Sequence, residues 1–300
     1  MIQVNHITKY FEQFKALDDL CLHVKKGSVY GLIGPNGAGK TTVINHITGV
    51  YRPNGGEVLV NGQNCYENTA VKQKLLYIPD DLYFFATFSI QQMAKFYAET
   101  YENFNWERYE TLKQVFGIHE KKLVSKLSKG MKKQVAFWLA ISSMPDVLVL
   151  DEPVDGLDPV MRKKVWNLVV QDVSERQMTV LVSSHNLREL EDICDTVGIL
   201  HRGHMLLEKE LDDLKGDIHK FQVAFPQDGA VEQLEKELEV LHVSKMGSVS
   251  LLIIKGDRKK ISDKIAEYNP LISDSVQLTL EEVFIYELGG IGYDIKDIFI

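Results

Sequence analysis

Residues 34–42 read GPNGAGKTT, and this segment constrains the fold of the chain more than any other. It fits the phosphate-binding pattern of a glycine, four residues, a glycine, a lysine and then a serine or threonine. Residues 28–33 form a short apolar run suited to a buried strand, and residues 43–48 can begin a helix. The segment therefore has the strand–loop–helix context that phosphate binding requires, and it predicts an α/β fold around a nucleotide site.

The residue types in this loop suit a polyphosphate. Gly34, Gly37 and Gly39 allow a tight backbone turn that brings N–H groups close to the phosphates. The helix that follows adds the positive end of its dipole. The Lys40 ammonium can reach the β- and γ-phosphates, and the Thr41 hydroxyl can bind Mg²⁺. A glycine-rich turn without a ligand is the alternative, and the flanking strand and helix patterns argue against it.

Two carboxylates end a second apolar run. Residues 147–152 read VLVLDE, so Asp151 and Glu152 are predicted at the carboxyl edge of the sheet, beside the phosphate loop. There Asp151 would help to hold Mg²⁺, directly or through water, and Glu152 would polarise the attacking water. His185 follows another apolar run, residues 179–184, at the same edge. Taken alone, such carboxylates can simply cap the next turn, and a lone histidine is more often structural.

Two further motifs are weak by themselves. Residues 127–131 read LSKGM, in which Ser128 can cap the following helix and Gly130 leaves room for a phosphate. Residues 156–158 read GLD, and Asp158 followed by proline is a typical helix start. Each of these patterns alone more often marks only a turn or the beginning of a helix.

Together, GPNGAGKTT, LSKGM, VLVLDEP, GLD and SSH occur in the order found in the ATP-binding subunits of ABC transporters, which nearly the whole chain resembles. The resemblance implies two such domains meeting head to tail, with ATP and Mg²⁺ on the loop of one copy enclosed by the LSKGM motif of the other. It also implies that His185 contacts the γ-phosphate, that Asp158 communicates across the dimer, and that Phe11 (or, as second choice, Tyr10) stacks on adenine. The implied nucleotide-binding residues are Phe11, Gly34, Asn36, Gly37, Gly39, Lys40, Thr41, Thr42, Ser128, Gly130 and Asp158.

The chain departs from the family pattern at three positions. Asp80 stands where the family usually has a glutamine that touches Mg²⁺ or the attacking water, and its carboxylate can still bind the metal. Met131 replaces the commoner glutamine at the end of the LSKGM motif, and Lys129 replaces a glycine. Lys129 could add positive charge near the nucleotide, but solvation is the simpler interpretation. The expected catalytic residues are Lys40, Glu152 and His185, and the expected metal ligands are Thr41, Asp80 and Asp151.

Composition and charge limit the partners and the compartment. At 300 residues the chain has room for two domains, and its net charge of −8 disfavours nucleic acid as the main partner. Cys21, Cys65 and Cys194 form no CxxC pair, which predicts reduced thiols rather than a zinc site or a disulfide framework. The sequence has no apolar run long enough to span a bilayer and no signal-peptide core at its start. We therefore expect a cytoplasmic protein that reaches the membrane only through a partner.

The sequence pattern divides the chain into two domains. Residues 1–215 are predicted to form the P-loop domain of an ABC ATPase, with a helical subdomain inserted at about residues 82–127. A charged stretch places the boundary near residues 214–217. Residues 216–300 are predicted to form a small α+β domain of the ferredoxin-like type, in the order strand, helix, strand, strand, helix, strand. These elements are predicted at residues 221–225, 231–238, 240–243, 249–254, 261–268 and 276–278.

Three segments suggest contacts with other surfaces. Residues 278–284, LTLEEVF, resemble the closing motif of bacterial ABC ATPases that serve separately encoded membrane subunits, often exporters. The aromatic segment 83–85, with Phe88, lies where the family receives a helix of that subunit, although it could equally be core of the insertion. The apolar tail 291–300 suggests packing against something, and the role of the C-terminal domain stays open.

We therefore interpret the chain as an ATP-hydrolysing subunit that powers transport, with export favoured, from the inner face of the cell membrane. Its partners would be a second ATPase subunit, identical or closely related, and a multi-span membrane permease. One alternative is a non-transport ABC ATPase that acts on nucleic acid or ribosomes. Such proteins tend to carry tandem ATPase halves or a long coiled-coil insertion, and this sequence shows neither pattern. The other is a regulatory module with little turnover, against which Glu152 and His185 argue and which Asp80 leaves open.

Overall fold

The computed structural model of the chain describes residues 1–213, 218–227, 229–279, 281–283 and 286. The chain divides into two compact units, Met1–Glu208 and Lys209–Ile300. The charge pattern places this boundary several residues later, because the charged stretch continues into the beginning of the second unit.

A six-stranded sheet forms the centre of the first unit. In spatial order its strands are β10 (His204–Glu210), β9 (Thr196–His201), β3 (Val29–Ile33), β8 (Thr179–Ser184), β7 (Val147–Asp151) and β6 (Leu75–Ile78). The five strands from β9 to β6 run parallel. Every residue of β3, β7 and β8 is buried, which explains why their sequences are continuous apolar runs. Parallel strands end at one edge, so the residues that follow β3, β7 and β8 meet there.

A second, antiparallel sheet packs against the phosphate loop and the helix that follows it. Its strands are β2 (Phe14–Val24), β1 (Ile2–Phe11), β4 (Gly55–Val60) and β5 (Gln63–Asn64). Helix α1 (Lys40–Ile47) contacts both sheets through one apolar cluster, in which Val43 and Ile47 join Ile2 of β1 and Leu32 of β3. This packing fixes the beginning of α1, and with it the loop, relative to the central sheet.

The remaining helices of the first unit are α2 (Thr69–Lys72), α3 (Ile90–Thr100), α4 (Trp106–Phe116), α5 (Lys129–Ser142) and α6 (Pro159–Arg176), with 3-10 turns at Val124–Lys126 and Leu187–Glu189. Of these helices, α3 and α4 lie within the predicted insertion. The insertion is anchored on α5, because the Trp138 indole donates to the Tyr109 carbonyl oxygen at 2.8 Å and the two rings stack with centroids 4.6 Å apart. Within the described part of the chain, no helix combines the length and the apolar character needed to cross a membrane.

The second unit has the predicted order of strands and helices. Its elements are β11 (Ile218–Ala224), α7 (Ala230–Glu237), β12 (Glu239–Met246), β13 (Val249–Lys255), α8 (Arg258–Ala266) and β14 (Ile272–Val276). The strands form an antiparallel sheet in the order β12, β13, β11, β14, and Leu234 and Ile261 pack the two helices onto it. Strand β14 begins at Ile272, earlier than predicted, and the apolar pattern did not indicate it because its sequence, ISDSV, is polar and largely exposed. Of the closing motif, residues 281–283 are helical, while residues 280 and 284 and the tail 291–300 lie outside the described residues.

The three thiols differ in their burial, which gives a test of the fold. Cys65 and Cys194 are buried and Cys21 is partly exposed. Burial raises the pKa of Cys65 to about 11 and raises the pKa of Cys194 further. Because the thiolate is the reactive form, we expect only Cys21 to react with dithiodipyridine in the native chain at pH 8. Unfolding in guanidinium should release the other two thiols, and Cys21→Ser should remove the native reaction. Equal reaction of all three native thiols would contradict this packing.

Candidate functional site

The loop between β3 and α1 lines a cavity of about 350 Å³. Its backbone is left-handed at Gly37 (φ +81°) and Gly39 (φ +111°), and a Cβ at position 39 would crowd Leu17 and the Ala16 carbonyl. Of the residues predicted from the sequence, the cavity wall contains Phe11, Asn36, Gly37, Gly39, Lys40, Thr41, Thr42, Asp80, Asp151 and Glu152. Phe14, which the sequence reasoning did not single out, lies beside them.

Lys40 provides a buried positive charge in the wall of this cavity. Its Nζ donates to the carbonyl oxygens of Gly34 at 2.6 Å and Pro35 at 3.3 Å, and it lies 3.5 Å from Glu152 Oε1. A buried ammonium with oxygen partners is held in place, and it attracts an anionic ligand. The loop N–H groups and this charge together suit a polyphosphate.

Asp151 ends strand β7 and is buried between two hydroxyl groups. Its Oδ2 accepts a hydrogen bond from Thr41 Oγ1 at 2.8 Å, and its Oδ1 accepts one from Ser183 Oγ. Burial and the nearby carboxylate of Asp151 raise the pKa of the Tyr77 hydroxyl, which stays neutral. The sequence reasoning missed Ser183, although its place opposite Asp151 in the parallel register follows once the two strands are paired. The oxygens of Thr41, Asp151 and the nearby Asp80 are the donor type that Mg²⁺ prefers.

Glu152 occupies a strained position directly after β7. Its backbone is left-handed, with φ +45°, and its N–H donates to the Ser183 carbonyl oxygen at 3.2 Å. The carboxylate is largely buried, with Oε1 facing Lys40 and Oε2 2.9 Å from His185 Nδ1. Asp155, which the sequence reasoning also missed, brings a further carboxylate to within 4.8 Å of the Glu152 and His185 ligand atoms. The Glu152 carboxylate therefore lies between the Lys40 ammonium and the His185 imidazole.

A buried lysine that the sequence reasoning missed connects the wall of the cavity to helix α5. Lys133 is fully buried, and its Nζ donates to the Glu152 carbonyl oxygen at 2.5 Å and to Asp80 Oδ1 at 3.2 Å. Nothing in the local sequence distinguishes it, since Lys129 and Lys132 lie in the same basic run.

Ser128 and Asp158 cap helices, as their sequences predict. Ser128 accepts from the Met131 N–H at 3.3 Å, and Asp158 accepts from the N–H groups of Val160 and Met161. Among the described residues that line the cavity, neither Ser128 nor Gly130 is present. A Cβ at position 130 would lie 2.5 Å from the Gly156 carbonyl oxygen, so this glycine is also required within its own chain.

Similarity to known proteins identifies the family. Residues 17–155 match the family model described as ABC transporter, and residues 120–191 match a model described as an AAA domain, putative AbiEii toxin. The chain is 32% identical to the ABC transporter ATP-binding protein YtrB of Bacillus subtilis, an alignment that covers 97% of this chain and 99% of YtrB. The chain belongs to the ABC transporter family of ATPases. As a member of this family it is the ATP-hydrolysing subunit of a transporter, which confirms the resemblance drawn from the five motifs.

One further relative and one solved structure are also similar to this ABC ATPase. The chain is 31% identical to the bacitracin transport ATP-binding protein BcrA of Bacillus licheniformis, over 97% of this chain and 98% of BcrA. A solved structure described as the ATP-binding subunit of an ABC transporter is 27% identical, covers 72% of this chain and 92% of its own, and superposes with a TM-score of 0.68. The predicted P-loop fold is thereby confirmed.

Of the positions at which this ABC ATPase departs from the family pattern, Asp80 lies at the site and Lys129 and Met131 are not among the described residues that line the cavity. Asp80 lines the cavity beside the phosphate loop and pairs with Lys133. Lys129 is exposed at the beginning of α5. Of the three departures, Asp80 is therefore the one that changes the chemistry of the cavity wall.

Proposed function

We propose that two copies of this ATPase, or one copy and a close paralogue, meet head to tail around ATP. Residues 34–42 of one copy would bind the phosphates, and Ser128 and Gly130 of the other would close over them. The separation of the loop from the LSKGM motif within one chain supports this arrangement, since each site would otherwise lack one side. Asp158, at the beginning of α6 after the carboxylates, would carry the closure from one site to the other.

The cavity residues divide between the parts of Mg²⁺-ATP. Lys40, with the loop N–H groups, would bind the β- and γ-phosphates, Asn36 and Thr42 would complete the wall, and Phe11 would stack on adenine. Thr41 and Asp151 would hold Mg²⁺, and Asp80 offers a further oxygen. The metal would neutralise charge on the phosphates.

Hydrolysis would proceed by in-line attack of water on the γ-phosphorus. The Glu152 carboxylate would accept a proton from that water as the new oxygen–phosphorus bond forms and the bond to the ADP oxygen breaks. His185, at 2.9 Å from Glu152, would orient the carboxylate and contact the γ-phosphate. Lys40 would stabilise the charge on the transferred group.

An exposed aromatic surface is the observation that best supports coupling to a membrane subunit. We define the aromatic surface as Tyr83, Phe85, Phe88 and Phe96, in which the Phe85 ring contacts each of the other three rings. Tyr83 is 87% exposed and Phe96 is 41% exposed, which is unusual for rings that form a contiguous cluster. An exposed aromatic cluster of this kind suits a helix from a multi-span permease at the inner face of the cell membrane. The closing motif at residues 278–284 favours export as the direction of transport.

Capture from membranes tests this coupling. We expect the tagged chain to copurify with a multi-span protein from detergent-solubilised membranes, and Tyr83→Ser/Phe96→Ser to reduce that recovery at least about tenfold. ATP hydrolysis by the isolated chain should remain within about twofold, because the aromatic surface lies outside the cavity. Met246→Ser, which changes an exposed apolar side chain of the second unit, is the matched control. Recovery with ribosomes or nucleic acid, or equal recovery of both variants, would contradict the proposal.

A further inference from the structure

We propose that Lys133 is a positioning residue for ATP hydrolysis, which holds the Glu152 main chain and the Asp80 carboxylate with one buried ammonium group. The inference rests on the hydrolytic role proposed for Glu152. The Lys133 side chain is not among the described residues that line the nucleotide cavity, so it would act through Glu152 and Asp80.

The contacts of Lys133 leave its ammonium little freedom. Nζ donates to the Glu152 carbonyl oxygen at 2.5 Å and to Asp80 Oδ1 at 3.2 Å, and the side chain is fully buried. A buried cation is tolerated only where oxygen atoms compensate for the lost water. Because Asp80 is itself 43% exposed and lines the cavity, the same ammonium orients a carboxylate that faces the nucleotide site.

The backbone of Glu152 shows why this contact bears on chemistry. A left-handed φ of +45° is unfavourable for glutamate and persists only where the surroundings fix both sides of the residue. The N–H of Glu152 is fixed by the Ser183 carbonyl oxygen, and its C=O is fixed by Lys133. These two bonds set the direction in which the carboxylate leaves the chain, between Lys40 and His185. A displacement of about 1 Å at such a site can cost about 10²-fold in rate.

The place of Lys133 in helix α5 connects this geometry to the rest of the subunit. Ser128 caps the same helix about 1.4 turns earlier, so α5 carries both the group proposed to close a second copy's site and the group that holds Glu152. Asp80 lies just before the aromatic surface in the chain. Lys133 therefore connects helix α5 and the residue that precedes the aromatic surface to the hydrolytic carboxylate.

Replacement of Lys133 in the full chain tests its role. We expect Lys133→Met to lower kcat by about tenfold to a hundredfold while the Kd for a fluorescent ATP analogue stays within about threefold, because the nucleotide contacts are untouched. Lys133→Arg should restore part of the rate. A merely structural lysine would lower the melting temperature and leave kcat per folded molecule unchanged. A kcat within about twofold of wild type in folded Lys133→Met would overturn the proposal.

A double-mutant cycle separates the two partners of Lys133. In Asp80→Gln/Lys133→Gln two neutral amides can bond to each other and to the Glu152 carbonyl oxygen, so we expect at least about fivefold more kcat than the two single changes predict together. If the two substitutions changed kcat independently, the result would contradict the proposal that one ammonium group holds both Asp80 and Glu152. If Lys133→Met does not fold, Lys133→Gln decides, because it removes the ammonium and keeps a polar group, and a kcat within about twofold of wild type would count against the inference. A wild-type chain without ATP hydrolysis contradicts the proposed function instead.

Discussion

Replacement of Glu152 by glutamine is expected to lower kcat for ATP hydrolysis by about 10²- to 10⁴-fold. Glutamine keeps the size of the side chain and its contact with His185, but it cannot take a proton from the attacking water. The contacts of the phosphate loop are unchanged, so the affinity for ATP should stay within a few-fold of wild type. Binding without turnover should then hold two copies together around ATP.

The measurements for this variant are single-turnover hydrolysis, nucleotide titration and light scattering with and without ATP. Asp155→Asn is the matched control, because it also neutralises a carboxylate within 4.8 Å of the same ligand atoms. We expect this control to retain kcat within about fivefold of wild type. Steady-state hydrolysis near the wild-type rate in Glu152→Gln would remove Glu152 from the reaction, and a monomer in saturating ATP would contradict closure.

Replacement of Lys40 by alanine is expected to weaken ATP binding by about tenfold to about 150-fold. The charged hydrogen bonds of one ammonium are worth about 1.5–3 kcal/mol, which corresponds to that change in Kd. Removal of Lys40 also leaves the Gly34 carbonyl oxygen and Glu152 Oε1 without their cation. We therefore expect the binding defect to be accompanied by a loss of hydrolysis at saturating ATP.

Titration with a fluorescent ATP analogue, with and without Mg²⁺, measures the effect. Lys95→Ala, an exposed lysine of helix α3, changes the net charge equally and should leave Kd within about twofold. An unchanged affinity in Lys40→Ala would count against binding of phosphates by the loop. Equal weakening in both variants would point to the overall charge of the chain rather than to the site.

The central sheet and the loop could be predicted because their sequence signals are local. Strands β3, β7 and β8 are buried on both faces, so each appears as an apolar run, and the residue after each run lies at the same edge. The two apolar runs therefore predict His185 and Glu152, 33 positions apart, at one edge of the sheet. In the structure His185 Nδ1 lies 2.9 Å from Glu152 Oε2.

The remaining features depend on pairings that no short segment encodes. Strand β1 pairs with β2 and β4 through several register shifts, which interrupt the alternation expected of a regular strand. Lys133 was overlooked because Lys129 and Lys132 have the same local composition, and only the packing of α5 buries one of them. The same holds for Ser183, whose hydroxyl matters only because β8 lies beside β7.

The left-handed backbone at position 152 also bears on how this chain can change over evolution. Such a conformation costs of order 1–3 kcal/mol for a residue with a side chain of this kind, whereas glycine adopts it freely. Glycine would remove this backbone cost, but it would also remove the carboxylate that faces Lys40 and His185. A change to glycine at this single position would therefore yield a subunit that binds ATP without turnover, and selection for activity opposes that change.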